Sequence, residues 1–149
     1  MTGANDGSAP KAELRDFSGL LVLVGAGNMG TALLQGWLRL GLDADKIAVL
    51  EPRPAAQISA LAERGLRLNP QLRALDGVTA IVLAIKPQDA TSAIAPLPPI
   101  VGPSTLVVSI MAGRTLSFLA GALTGKGVLI RAMPNTPAAI GRGITVACP

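Results

Sequence analysis

The sequence predicts an α/β fold, a doubly wound and mostly parallel sheet with helices on both faces. Three observations carry this. Short apolar runs alternate with helix-like stretches through most of the chain, the order of a parallel α/β sheet. The first run, Leu20-Leu-Val-Leu-Val24, is continuously apolar, as in a strand buried on both sides. A glycine-rich turn joins it directly to the first helical stretch.

The elements follow in order. Residues 20–24 form the first strand. After the glycine turn, residues 31–40 carry Leu33, Leu34, Trp37 and Leu38 at helical spacing and stop at Gly41. A second strand spans 47–50, a second helix 55–64 ended by Gly65, and a short third strand 66–68. The fourth strand, 79–84, is strongly apolar. A short helix over 88–94 gives way to a Pro-rich turn at 96–103. A fifth strand covers 105–110, a helix 117–123 and a sixth strand 128–131. A Pro-rich loop at 133–139 and an apolar stretch at 144–147 complete the chain. Residues 1–18 are polar and rich in small residues; they are expected as a mostly flexible tail ahead of a single domain, 19–149.

Composition limits the chemistry. The 149 residues are half apolar and only 15% charged, so they supply a core and are not a disordered chain. There is no His and no Tyr. Ser-His-Asp and Cys-His catalysis are therefore excluded within this chain, as are dehydrogenases built on a Tyr/Lys pair and zinc sites that need imidazole. No metal site is expected. The single Cys148 cannot form an internal disulfide. Thirteen Lys and Arg against nine Asp and Glu give a net charge of +4. These basic residues are scattered and not interleaved with aromatics, which argues against nucleic-acid binding. The start of the chain lacks the basic and apolar regions of a secretory signal, and no apolar run approaches the length of a membrane span. A soluble, cytoplasmic protein with no membrane partner is expected.

Gly25-Ala26-Gly27-Asn28-Met29-Gly30 reads G-x-G-x-x-G between a strand and a helix, the context that gives this pattern meaning. Gly25 permits the tight turn, Gly27 lets a pyrophosphate approach the backbone, and Gly30 lets helix and strand pack closely. The helix N-terminus offers unpaired N–H groups and a partial positive charge to phosphates. These features point to a dinucleotide-binding Rossmann fold. Glu51 stands at the end of the second strand, twenty-one residues after Gly30, where an acidic residue accepts hydrogen bonds from the adenosine ribose and repels a 2′-phosphate. Arg53, two residues on, is of the type that holds that phosphate. The two residues pull in opposite directions, leaving NADH and NADPH both open as cofactors. Ala84-Ile85-Lys86-Pro87 follows the fourth strand and Met111-Ala112-Gly113 the fifth. Both lie at the carboxyl edge of the sheet, where ligands bind in open α/β folds.

Arg131-Ala-Met-Pro-Asn-Thr-Pro-Ala-Ala-Ile-Gly-Arg-Gly-Ile-Thr145 holds an unusual Pro-Asn-Thr-Pro loop. Taken in order with the glycine turn, Ala84 to Pro87, and Val108-Ser-Ile-Met-Ala-Gly113, it resembles the N-terminal part of pyrroline-5-carboxylate reductases over residues 20–147. The resemblance implies NAD(P)H-dependent reduction of 1-pyrroline-5-carboxylate to L-proline, the last step of proline synthesis. It implies that Val24, Gly25, Ala26, Gly27, Asn28 and Met29 wrap the pyrophosphate. Glu51 would lie where the family contacts the adenosine ribose or its 2′-phosphate, at a position that often carries Ser or Thr. Ala84 to Pro87 and Met111 to Gly113 would flank the cofactor further along, with Asn135 and Thr136 beside the nicotinamide.

The family continues into a helical C-terminal domain that forms the homo-oligomer, completes the substrate pocket and supplies the catalytic hydroxyl. This sequence stops at Pro149, so the catalytic residues are expected outside it. Two alternatives stand beside the main reading. One is a nucleotide-binding fragment or subunit without turnover of its own, and the other is a related imine or β-hydroxy-acid oxidoreductase. Hydride transfer to a C=N bond asks mainly for orientation, which suits a chain lacking His and Tyr.

Overall fold

The computed structural model describes residues 14–134 and 145–148. Among these residues, seven strands form one sheet in the order β3-β2-β1-β4-β5-β6-β7. These are β1 (Leu20–Val24), β2 (Ile47–Leu50), β3 (Arg67–Leu68), β4 (Val78–Leu83), β5 (Leu106–Ser109), β6 (Val128–Pro134) and β7 (Thr145–Cys148). The first six pair in parallel and β7 runs antiparallel to β6. The helices are α1 (Asn28–Arg39), α2 (Ala56–Ala60), α3 (Ala90–Ile94) and α4 (Leu116–Ala122).

The apolar run of β1 is buried at all five positions because side chains alternate between two cores. Leu20, Val22 and Val24 join Ile81, Leu83, Ile94, Leu119 and Leu123 on the face covered by α3 and α4. Leu21 and Leu23 join Ile47, Val49, Leu34 and Ile58 on the face covered by α1 and α2. A strand with both faces covered cannot alternate polar and apolar residues, so its continuous hydrophobicity follows from its place at the centre.

Several expectations are corrected. Helix α1 begins at Asn28, not at residue 31, so Gly30 lies inside its first turn, buried. The second helix divides into α2 and a 3-10 turn at Leu61–Arg64, closed by Gly65 with φ 98°. Met133 and Pro134 belong to β6, paired with Val146 and Thr145 across to β7, and do not open the Pro-rich loop. Leu14 to Ser18, expected within the flexible tail, belong to the fold. Leu14 and Phe17 pack against the α1/α2 core, the Leu14 N–H donates to the Leu40 carbonyl, and Lys46 Nζ donates to the Phe17 carbonyl. Apolar side chains at 14 and 17 bury surface that a free tail would leave in water.

The strand order reverses at β1. Its neighbours are β2 on one side and β4 on the other, and the chain leaves the carboxyl end of β1 towards α1 on one face of the sheet and that of β4 towards α3 on the other. A crevice opens there by topology alone.

Candidate functional site

A cleft of about 1230 Å³ occupies that crevice. Three turns line it: Val24 to Asn28 after β1, Leu50 to Arg53 after β2, and Ala84 to Lys86 after β4. The main chain locks the turns to one another. The Gly25 N–H donates to the Leu50 carbonyl at 2.9 Å, and the Ala84 N–H donates to the Val24 carbonyl at 2.8 Å.

Each glycine of the turn meets a different environment. Gly25 has φ 91°, and a Cβ there would lie 2.6 Å from the Ala84 carbonyl oxygen. Gly30 packs so closely that a Cβ would collide with the Gly25 carbonyl. Gly27 is the N-cap of α1, and a Cβ on it would meet nothing within 4 Å. Sterics within the protein thus require glycine at positions 25 and 30, whereas at 27 a side chain would project into open space. The main chain at 27 is therefore open to close approach from the cleft side. The N-cap supplies no side-chain acceptor, so the first N–H groups of α1 lack an intrahelical partner. They suit an anion such as a pyrophosphate.

The Ala26 peptide is held at both ends. Its N–H donates to Glu51 Oε2 at 2.9 Å, and its carbonyl accepts from Thr31 Oγ1 at 2.8 Å. The other carboxylate oxygen, Glu51 Oε1, accepts the Arg53 N–H at 3.0 Å. Asn69, after β3, brackets the main chain of Glu51. Its Oδ1 accepts the Glu51 N–H and its Nδ2 donates to the Glu51 carbonyl, both at 2.9 Å. Asn69 takes the left-handed φ of 46°, which Asn tolerates better than most residues.

At the β4 side of the cleft, Lys86 is exposed at the rim. The following Pro87 carbonyl accepts from Arg114 Nε at 3.1 Å and Nη2 at 2.6 Å. The Arg114 guanidinium also lies 4.6 Å from the centroid of the Phe118 ring. Arg114 therefore ties the turn after β4 to the turn after β5.

Val24, Gly25, Ala26, Gly27, Asn28, Glu51, Arg53, Ala84, Ile85 and Lys86 all line the one cleft. Met29, Gly30, Pro87, Met111, Ala112 and Gly113 do not. Gly30 and Pro87 support the turns from behind. The Met111 side chain is buried at 2% exposure in the α3/α4 core, so it presents little surface to a ligand. Ala112 and Gly113 are exposed at the end of β5 but stand outside the lining. Asn135 and Thr136 lie outside the described residues. Thr31, Asn69 and Arg114 escaped the sequence reading, although the dipeptide Asn69-Pro70 after a strand is a turn signal. A smaller recess of about 410 Å³ near Gly41 and Asp43 lies by the amino end of β2, away from every one of these turns.

Comparison with known proteins places the chain in a family. The family model described as NADP oxidoreductase, coenzyme F420-dependent, matches residues 20–113. Pyrroline-5-carboxylate reductase of Vibrio alginolyticus is 33% identical over 126 residues, covering 84% of this chain and 46% of that protein. The Escherichia coli enzyme is 35% identical over 129 residues, covering 85% and 48%. The chain belongs to this oxidoreductase family and, within it, to the N-terminal NAD(P)-binding domain of the pyrroline-5-carboxylate reductases. It spans about half the length of the curated relatives it matches.

Solved structures of the family superpose well. The crystal structure of Plasmodium falciparum pyrroline carboxylate reductase, with NADP bound, gives a TM-score of 0.72 at 25% identity, over 88% of this chain and 48% of that one. The Coxiella burnetii pyrroline-5-carboxylate reductase gives 0.72 at 26%, over 87% and 48%. A reductive aminase from Aspergillus terreus, at 21% identity and a TM-score of 0.63, shares the fold. Among the described residues no helix is long and apolar enough to cross a membrane.

Proposed function

We propose that this chain is the coenzyme-holding part of an NAD(P)H-dependent reductase that converts 1-pyrroline-5-carboxylate to L-proline. The observation that carries the reading is the convergence of three strand-end turns on one cleft, with open space above Gly27 and uncapped helix N–H groups beside it. The two most similar folds quoted above are pyrroline carboxylate reductases, one of them with NADP bound.

The residues present fit a nicotinamide dinucleotide. Gly27, Asn28 and Met29 would hold the pyrophosphate on main-chain N–H groups, with the α1 dipole adding to the attraction. Glu51 would meet the adenosine ribose. Ala84, Ile85 and Lys86 would line the path towards the nicotinamide. When bound, the reduced coenzyme supplies a hydride to the carbon of a C=N bond, and the imine nitrogen gains a proton. The contribution of this chain is to bind and orient, which converts the hydride transfer into an effectively intramolecular step. No side chain of the described cleft is placed as the proton donor.

The test is a titration of the purified chain with reduced nicotinamide dinucleotides, followed by Trp37 fluorescence, and an assay of coenzyme oxidation with 1-pyrroline-5-carboxylate. Binding with turnover of this cyclic imine supports the proposal. Binding with turnover only of other imines or β-hydroxy acids assigns a related oxidoreductase. Binding without turnover leaves a nucleotide-binding subunit. No binding to a folded chain overturns the reading of the cleft.

A further inference from the structure

We infer that Glu51 makes this cleft select the ribose that lacks a 2′-phosphate, so that NADH rather than NADPH is the coenzyme the chain holds. The inference rests on reading the cleft as a nicotinamide-dinucleotide site and concerns which of the two dinucleotides enters it.

The first ground is position. A Glu side chain on an exposed turn could swing into solvent and leave room for a phosphate. Glu51 is not free to do so. One carboxylate oxygen is held by the Ala26 N–H at 2.9 Å and the other by the Arg53 N–H at 3.0 Å. The main chain of Glu51 is held in turn by both ends of the Asn69 amide. The negative charge is thus fixed between the ends of β1 and β2, within the wall of the cleft.

The second ground is the count of donors and acceptors. An ionised carboxylate offers about four lone-pair sites and no donor. Two are occupied by main-chain N–H groups, which leaves about two for a ligand. The 2′- and 3′-hydroxyls of an unmodified ribose are two donors, and they match. A 2′-phosphate brings acceptor oxygens and a charge of roughly −1.5 to −2, and it would set acceptor against acceptor.

The third ground is the weakness of the competing cation. Arg53 is exposed and engages Glu51 through its main chain, not its guanidinium. An exposed guanidinium on a rotatable stem gains little from a partner charge while both stay in water, so Arg53 offsets the Glu51 carboxylate only in part. A carboxylate fixed by two hydrogen bonds acts at full occupancy.

The experiment is a parallel titration of the native chain, Glu51→Gln and Glu51→Ser with NADH and with NADPH, with circular dichroism to verify folding. The native chain is expected to bind NADH at least tenfold more tightly, a difference of about 1.4 kcal/mol. Both variants are expected to reduce that ratio tenfold or more, with the change falling mainly on NADPH affinity. Gln retains the length of the side chain and one acceptor, so it tests charge apart from the loss of the loop tie. Equal affinity in the native chain, a preference for NADPH, or an unchanged ratio in folded Glu51→Gln would overturn the inference while leaving the dinucleotide site intact. Failure of both coenzymes to bind the folded native chain would remove the site itself, and this inference with it.

Discussion

The Glu51 carboxylate accepts the Ala26 N–H at 2.9 Å across twenty-five residues of chain, joining the turn after β2 to the glycine turn after β1. This one bond decides which main-chain donors remain for a ligand. With the Ala26 N–H already engaged, an anion at the helix end must rest on the N–H groups that follow it. It also sets the acidic residue against the wall of the cleft, where its charge meets whatever enters.

Gly30 and Gly27 should respond oppositely to the same substitution. Gly30→Ala places a Cβ against the Gly25 carbonyl, a main-chain atom that cannot rotate away. Alanine gains about 1 kcal/mol in helix propensity, but overpacking of this kind costs about 1–3 kcal/mol and here must move α1 off β1. Net destabilisation with weakened coenzyme binding is expected. Gly27→Ala meets no protein atom and has φ −68°, so its stability should change by less than about 1 kcal/mol while coenzyme affinity falls. Urea denaturation paired with coenzyme titration checks both.

Asn69→Ala removes two hydrogen bonds to the main chain of Glu51 and forces a Cβ-bearing residue to keep φ 46°. Each bond is worth about 0.5–1.5 kcal/mol and the left-handed conformation costs about 1–2 kcal/mol. A loss of roughly 2–4 kcal/mol is expected. Asn69→Gly loses the same bonds without the conformational cost and should be milder. If the two denature at the same urea concentration, the backbone part of this explanation fails.

The sheet was legible because burial on both faces writes itself as continuous apolar runs. The bounds of β1 and β2 emerge from the sequence unchanged, and Gly65 marks its helix end through a left-handed φ. The start of α1 was not legible, because G-x-G-x-x-G reads as a turn through Gly30 although the chain becomes helical at Asn28. The direction of β7 was hidden too, since periodicity carries no strand polarity. Residue types and strand ends pointed to Glu51, Lys86, Gly25 and Gly27, which the fold brings to the one cleft. Asn69 and Arg114 act through carbonyl and N–H groups distant in sequence, and no local pattern announces such partners. Met111 shows the converse limit. Its place after β5 suggested the cleft, but its side chain turned into the core.

Arg114→Ala should loosen the turn that carries Lys86. The guanidinium makes two hydrogen bonds to the Pro87 carbonyl and lies over the Phe118 ring. A charged hydrogen bond contributes about 1.5–3 kcal/mol and an exposed cation–π contact about 0.5–1 kcal/mol. Arg114 is partly buried, so a stability loss of about 1–3 kcal/mol is expected, with coenzyme affinity reduced several-fold. Arg114→Lys supplies a point charge without the planar fork and should recover only part of both. Full recovery by Lys in the same titration would show that the fork geometry is immaterial.

The decisive measurement is an amide chemical-shift map of the isotope-labelled chain as NADH is added. The N–H signals of Gly27, Asn28 and Met29 should shift most, accompanied by those of Glu51, Arg53 and Lys86, while Gly41, Leu42 and Asp43 at the smaller recess stay in place. Shifts gathered at that recess, or none in the glycine turn at a concentration where Trp37 reports binding, would contradict the assignment of the cleft.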